Sequence, residues 1–219
     1  MGLFGYKNNN KEFTTIESFC KEIDYLFNLD KFISRKEYIN FYNDALPVYN
    51  ELQLMGEKNI LKEWCKKNSI DYKLLSKYMD EFANTEALVK EHNNKFISKH
   101  LKSDKEYLDN ILKKDDPNII LDEEQRKVVL SDEDYTLVVA GAGAGKTTTI
   151  EAKVKYLVEK QNVDAEKILI VSFTKKATEE LKERFKRLEL NVNIATFHSI
   201  GNTIIKDNEQ VRHRIVSTG

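Results

Sequence analysis

The stretch Val138-Val-Ala-Gly-Ala-Gly-Ala-Gly-Lys-Thr-Thr-Thr-Ile150 decides how the second half of the chain is read. An apolar run, Tyr135–Ala140, leads into Gly141-Ala142-Gly143-Ala144-Gly145 and then into Lys146, Thr147, Thr148 and a helical pattern. Glycines let a backbone turn tightly and approach a ligand with no Cβ in the way. N–H groups of such a loop, with the positive end of the following helix, converge on an anion. The expected arrangement is a phosphate loop. Lys146 would reach the terminal phosphates of a bound nucleotide, and the Thr147 hydroxyl would ligate Mg²⁺. The pattern G-x-x-x-x-G-K-[ST] has Ala140 at its first position, a departure of one methyl group.

Working outward, the flanking sequence alternates between two textures. Tyr135–Ala140, Ile168–Phe173 and Val192–Thr196 are short, β-branched and almost uninterruptedly apolar, as strands buried on both faces of a parallel sheet are. Between them, Lys146–Glu159 and Lys175–Leu188 carry helical spacing. The alternation predicts an α/β parallel-sheet domain, assigned to residues 116–219. Before Asp115–Asn118 the texture differs. Three glycines (Gly2, Gly5, Gly56) and one proline (Pro47) occur there, and apolar residues such as Phe19, Ile23, Leu26 and Phe27 recur at helical intervals. Residues 1–115 are expected to be an all-α region, with about five helices over 11–114. Ser34 with Glu37, and Asn84 before Thr85, mark helix starts.

Composition sets limits. The chain has 219 residues and a net charge of −1. Residues 1–120 hold 19 Lys and Arg against 20 Asp and Glu, leaving 16 of each for 121–219. A nucleic-acid surface would therefore be a local patch rather than a global field. Cys20 and Cys65 have no metal-type spacing and read as reduced thiols. No signal-peptide core precedes residue 20, and no apolar run is long enough to span a membrane. The expected location is the cytoplasm.

Three further stretches say what the nucleotide would drive. In Leu121-Asp-Glu-Glu-Gln125, a capping box alone accounts for Asp122 and Gln125; the alternative reading has the Gln125 amide bonding an adenine edge. In Ile168-Leu-Ile-Val-Ser-Phe-Thr-Lys-Lys176, a strand ends in Phe173 and Thr174 before a helix opens on lysines. Lysines oppose the dipole of a first helical turn. A base would stack on Phe173, and phosphates would meet Thr174 and Lys175. In Val192-Asn-Ile-Ala-Thr-Phe-His-Ser199, a second strand ends in Thr196, Phe197 and His198. Carboxyl ends of strands form the ligand face of an open α/β sheet.

Taken in order, LDEEQ, AGAGAGKT, SFTKKATEELKERF and ATFHSIG resemble the Q motif and motifs I, Ia and Ib of superfamily-1A DNA helicases of the UvrD/Rep/PcrA type. The resemblance covers residues 119–206, somewhat under half the chain. It implies a RecA-like first motor domain that binds ATP with Mg²⁺ and single-stranded DNA and translocates 3′ to 5′. It makes Gln125 the adenine reader, residues 140–148 the phosphate and Mg²⁺ site, and Phe173, Thr174, Lys175, Thr196, Phe197 and His198 the strand contacts. Where the family commonly has Ser, Asn and Ala, this chain has Ala144, Lys175 and Thr178. The segment before the loop is similar to the helical extension leading into helicase IV-type motors. The alternatives are a nucleotide-binding interaction module, with the helical region docking a protein partner, and a helicase-like remodeller of RNA polymerase.

Motor ATPases also use an acidic pair on a later strand and an arginine from a second domain. The arginine alone contributes about 10³–10⁵ in rate. After Ile205 these residues supply neither, so the chain is expected to be the N-terminal portion of a longer helicase. The 219-residue chain should accordingly show negligible DNA-stimulated ATP turnover in a phosphate-release assay; robust turnover would refute this.

Overall fold

A computed structural model describes residues 6–8, 11–13, 16–141 and 143–208. It divides into two units, Met1–Ser103 with Ser131–Leu137, and Asp104–Leu130 with Val138–Gly219. No helix among the described residues is long and apolar enough to cross a membrane.

The first unit opens on a small antiparallel pair, β1 (Tyr6–Asn8) and β2 (Lys11–Phe13), with Tyr6 opposite Phe13. Five helices follow: α1 (Ile16–Asn28), α2 (Arg35–Glu57), α3 (Leu61–Lys67), α4 (Tyr72–Ala83) and α5 (Thr85–Ser103). The helical spacing read in α1 is its buried face, with Phe19, Ile23 and Leu26 inside. Phe82 of α4 is the hub of the core. Its ring lies 4.8 Å from Tyr49, 5.0 Å from Tyr42 in a parallel stack, 5.6 Å from Phe19 and 6.0 Å from Phe41. Such aromatic pairs add to the area that they bury. Both cysteines are free thiols, Cys65 buried and Cys20 half-buried.

Helix α2 shows how local and distant residues share one task. The first turn of a helix leaves four N–H groups without intrahelical partners. Ser34 and Glu37 form the expected capping box, Glu37 N–H donating to Ser34 Oγ and Ser34 N–H to Glu37 Oε2. The next two partners come from far along the chain. Arg35 N–H donates to Glu133 Oε2 (3.0 Å) and Lys36 N–H to Asp134 Oδ2 (2.6 Å). Two carboxylates at the positive end of a 23-residue helix also complement its dipole. At the other expected start, α5 does begin at Thr85, but Asn84 turns its amide back onto Asp80 O of α4.

The loop into α2 is held by a buried amide. Asn93 Oδ1 accepts from Ile33 N–H (2.8 Å), and Asn93 Nδ2 donates to Ile33 O (2.9 Å). Ile33 itself is fully buried.

The second unit holds α6 (Lys105–Asn110), α7 (Glu123–Leu130), α8 (Lys146–Glu159), β3 (Leu169–Ser172), α9 (Lys175–Arg187), β4 (Asn193–Thr196) and α10 (Phe197–Asn208). Helix α8 has the bounds read from the sequence, and α9 ends one residue short with Leu188 as its cap. Strands β3 and β4 pair in parallel, with Leu169 opposite Asn193 and Ser172 opposite Thr196. Helix α9 joins them, making a β-α-β unit. Ile170 and Ile194 face inward with Leu181, Phe185 and Leu188. The result is a helix-rich, partial α/β unit.

Two strand expectations need correction. Residues 135–140 form no strand. Tyr135, Leu137 and Val139 are 94%, 87% and 86% exposed. A strand buried on both faces needs a ladder on its edges and cover above and below. Among the described residues the only parallel ladder is β3–β4, so this segment has nothing to pair with. Strand β3 is also covered on one face only: Ile170 is buried while Leu169 and Val171 are half exposed.

Replacing Asn93 by Ala strips partners from two buried backbone groups of Ile33. Each such loss costs about 1–3 kcal/mol. Urea denaturation should therefore show a loss of roughly 2–4 kcal/mol, and a loss below the uncertainty of the midpoint would refute the clamp.

Candidate nucleotide and nucleic-acid site

Helix α7 begins with the reciprocal bonds expected of Asp122 and Gln125. Gln125 N–H donates to Asp122 Oδ1 (2.8 Å), and Asp122 N–H donates to Gln125 Oε1 (2.9 Å). This closure fixes the orientation of the Gln125 amide, because only its oxygen accepts. The amide nitrogen then faces the glycine loop. A Cβ built on Gly145 would overlap Gln125 Nε2. The structure thus brings together two site residues that the sequence places 20 positions apart.

The loop itself is a turn into a helix. Gly143 and Gly145 have φ of +75° and +74°. Side chains with a Cβ avoid this region. A side chain at Gly145 would therefore be strained by the backbone angle and would displace the Gln125 amide. Gly145 caps α8, its carbonyl accepting Thr149 N–H (2.8 Å) and Thr149 Oγ1–H (2.9 Å). The Lys146 ammonium curls back over the loop, donating to Ala140 O (2.8 Å) and Gly141 O (2.6 Å). Ala144 N–H donates to Gly141 O (3.4 Å). Ala144 and Thr147 are exposed, and Thr148 is half-buried. Ala142 lies outside the described residues. The loop therefore offers an exposed ammonium, an exposed hydroxyl at Thr147 and a helix start, a set of groups suited to a phosphate chain and its magnesium.

The strand tips form the second part. Ser172 and Thr196 are register partners, so Phe173 and Phe197 follow neighbouring positions of one parallel ladder. Adjacent strands stand about 4.8 Å apart. Both rings face solvent, at 84% and 71% exposure, so Phe173 does not cap the core. Lys175, Lys176 and His198 are exposed in the first turns of α9 and α10. The two threonines are committed to capping. Thr174 Oγ1 accepts Ala177 N–H (3.1 Å), and Thr196 Oγ1 accepts Ser199 N–H (3.2 Å). They leave each helix start shaped and each aromatic free.

One charged residue escaped the sequence reading. Glu151 of α8 is fully buried, with Arg184 Nη1 3.2 Å from its Oε1 and 3.4 Å from its Oε2. Arg184 also meets Glu180 (2.9 Å). Burial pushes the Glu151 carboxyl up to about 7; Arg184 opposes that and nearby Asp115 adds to it. Nothing in the period of α8 distinguishes a buried glutamate from a solvated one, and its partner lies 33 residues away.

Comparison with known proteins points to one family. Residues 121–215 match the UvrD/REP helicase N-terminal domain. The chain is 44% identical over 84 residues to a probable DNA helicase II homolog of Mycoplasma capricolum, covering 36% of this chain and 12% of that protein. It is 42% identical over 85 residues to the ATP-dependent DNA helicase srs2 of Schizosaccharomyces pombe, covering 36% of this chain and 10% of that protein. It is 38% identical over 84 residues to the ATP-dependent DNA helicase UvrD1 of Mycobacterium leprae, covering 36% and 11%. The chain thus spans about a tenth of the length of these relatives.

The Glu151 carboxyl gives a pH prediction. Its folded value lies above the ordinary 4.5, so the folded state holds the proton more tightly. Stability from this group is full below 4.5 and is lost as pH rises through about 7. Glu151→Gln should flatten that fall in urea titrations across the window. An unchanged slope would refute the assignment.

Proposed function

We propose, from the match of residues 121–215 to the UvrD/REP helicase N-terminal domain, that this chain is the N-terminal portion of an ATP-dependent 3′-to-5′ single-stranded DNA translocase, with the second unit as part of a RecA-like motor domain. The observation that carries the reading is the seating of the Gln125 amide against Gly145 at the start of α8. It puts a base-reading group beside a phosphate-binding turn.

In this reading the nucleotide lies across that junction. Gln125 Nε2 meets the adenine edge. Lys146 leaves the carbonyls of Ala140 and Gly141 and takes the terminal phosphates, exchanging two neutral acceptors for anionic ones. The backbone of residues 140–148 and the positive end of α8 share the phosphate charge. Magnesium, when bound, neutralises charge developing between the outer phosphates, and Thr147 is the residue here that would hold it.

DNA lies along the tips of β3 and β4. Bases stack on Phe173 and Phe197, Lys175 meets a phosphate as a point charge, and His198 with the helix starts at Thr174 and Thr196 lines the path. A local patch of this kind accommodates the near-zero net charge.

Lys146→Ala should abolish binding of a fluorescent ATP analogue by the 219-residue chain. Phe173→Ala with Phe197→Ala should weaken binding of labelled oligo-dT by roughly tenfold or more, as stacking at ~1–3 kcal/mol per base requires. Nucleotide binding by the Lys146 variant equal to wild type removes the phosphate site; unchanged DNA affinity of the double variant removes the strand path.

A further inference from the structure

The exposed ring of Phe173 has no packing of its own to aim it, so the turn between β3 and α9 must fix its direction. That turn is tied by three oxygen atoms. Ser172 Oγ lies 2.6 Å from Thr178 Oγ1, and each hydroxyl lies 3.1 Å from the Thr174 carbonyl oxygen. Thr178 N–H donates to the same carbonyl (3.1 Å). Thr178 is buried in the second turn of α9, whereas Ser172 is the last residue of β3.

A proton count shows what kind of tie this is. Two hydroxyls carry two protons, and three oxygen–oxygen approaches compete for them. One hydroxyl donates to the other, which donates to the carbonyl, and the two arrangements interchange by rotation. Either way the strand end and the second turn of the helix are linked across Phe173. With alanine at 178, Ser172 would keep its single bond to Thr174 O and the lateral strut would vanish. The contact that Thr178 makes to a residue four positions back is routine in helices; the contact to Ser172 crosses from helix to strand and is not.

We infer that Thr178, through Ser172, is a positioning residue that sets the angle of Phe173 for stacking on a nucleic-acid base. The inference rests on the strand-path reading above. Thr178 touches no substrate in it; it narrows the directions open to the Phe173 ring, and so lowers the ordering cost of binding.

The test compares Thr178→Ala, Thr178→Val, Thr178→Ser and Phe173→Ala in the 219-residue chain, with oligo-dT affinity, ATP-analogue affinity and melting temperature as readouts. Loss of one net hydrogen bond corresponds to about a two- to tenfold weakening. Thr178→Ala and Thr178→Val should each weaken oligo-dT binding by that amount and leave ATP-analogue binding unchanged. Thr178→Ser, which restores the hydroxyl, should recover wild-type DNA affinity. Thr178→Val keeps the volume of the side chain, so it stays folded where alanine leaves a gap. If Phe173→Ala weakens oligo-dT binding and neither hydroxyl-free variant does, the inference falls alone. If Phe173→Ala has no effect, the strand-path reading falls and takes the inference with it. A loss in ATP-analogue binding that parallels the DNA loss marks Thr178 as merely structural and overturns the positioning role.

Discussion

Two backbone angles govern the second unit: the positive φ of Gly143 and of Gly145. They lie in the turn that leads from residues 138–141 into the start of α8. Any other residue at these two positions would be strained, and at Gly145 it would also strike Gln125. Once the turn is made, the carbonyl of Gly145 takes two donors from Thr149, and α8 runs on to bury Thr149, Ala152 and Tyr156. The same direction carries Glu151 into the interior beside Arg184 of α9. A buried carboxylate is costly unless a charged partner meets it, so the position of α9, and with it the strands it joins, is coupled to the turn.

The functional reading grows from the same economy. Gln125 uses one end of its amide to close a helix and the other to face a loop. Thr174 and Thr196 use their hydroxyls to start helices, with Phe173 just before the first start and Phe197 as the first residue of the second helix. In the proposed reading, structural and recognition roles fall on one residue or its neighbour. The three relatives, all named as DNA helicases, are 38–44% identical to the chain over 84–85 residues.

What the sequence disclosed and what it withheld divide along chain distance. Both capping boxes, the bounds of α8 and α9, and the buried face of α1 rest on interactions within a few residues, and periodicity reports those. The strand at 135–140 was expected on composition alone. Its residues have the right character, but a strand exists only in a ladder, and no described residue supplies one. Glu151 and the Ser172–Thr178 pair were hidden for a related reason. A glutamate in a helix and a serine at a strand end look solvated until the partner arrives, and their partners sit on other elements.

The carboxylates that close the first turn of α2 show this distance at its largest. Arg35 and Lys36 wait for acceptors 98 residues further on. On the ribosome, where N-terminal segments emerge first, this long helix leaves the exit tunnel with two amides at its head still bonded to water. It acquires their protein partners only when Asp134 has been made, a few residues before the glycine turn. The first turn of α2 is thus completed by protein groups only once the chain has grown nearly as far as the glycine turn.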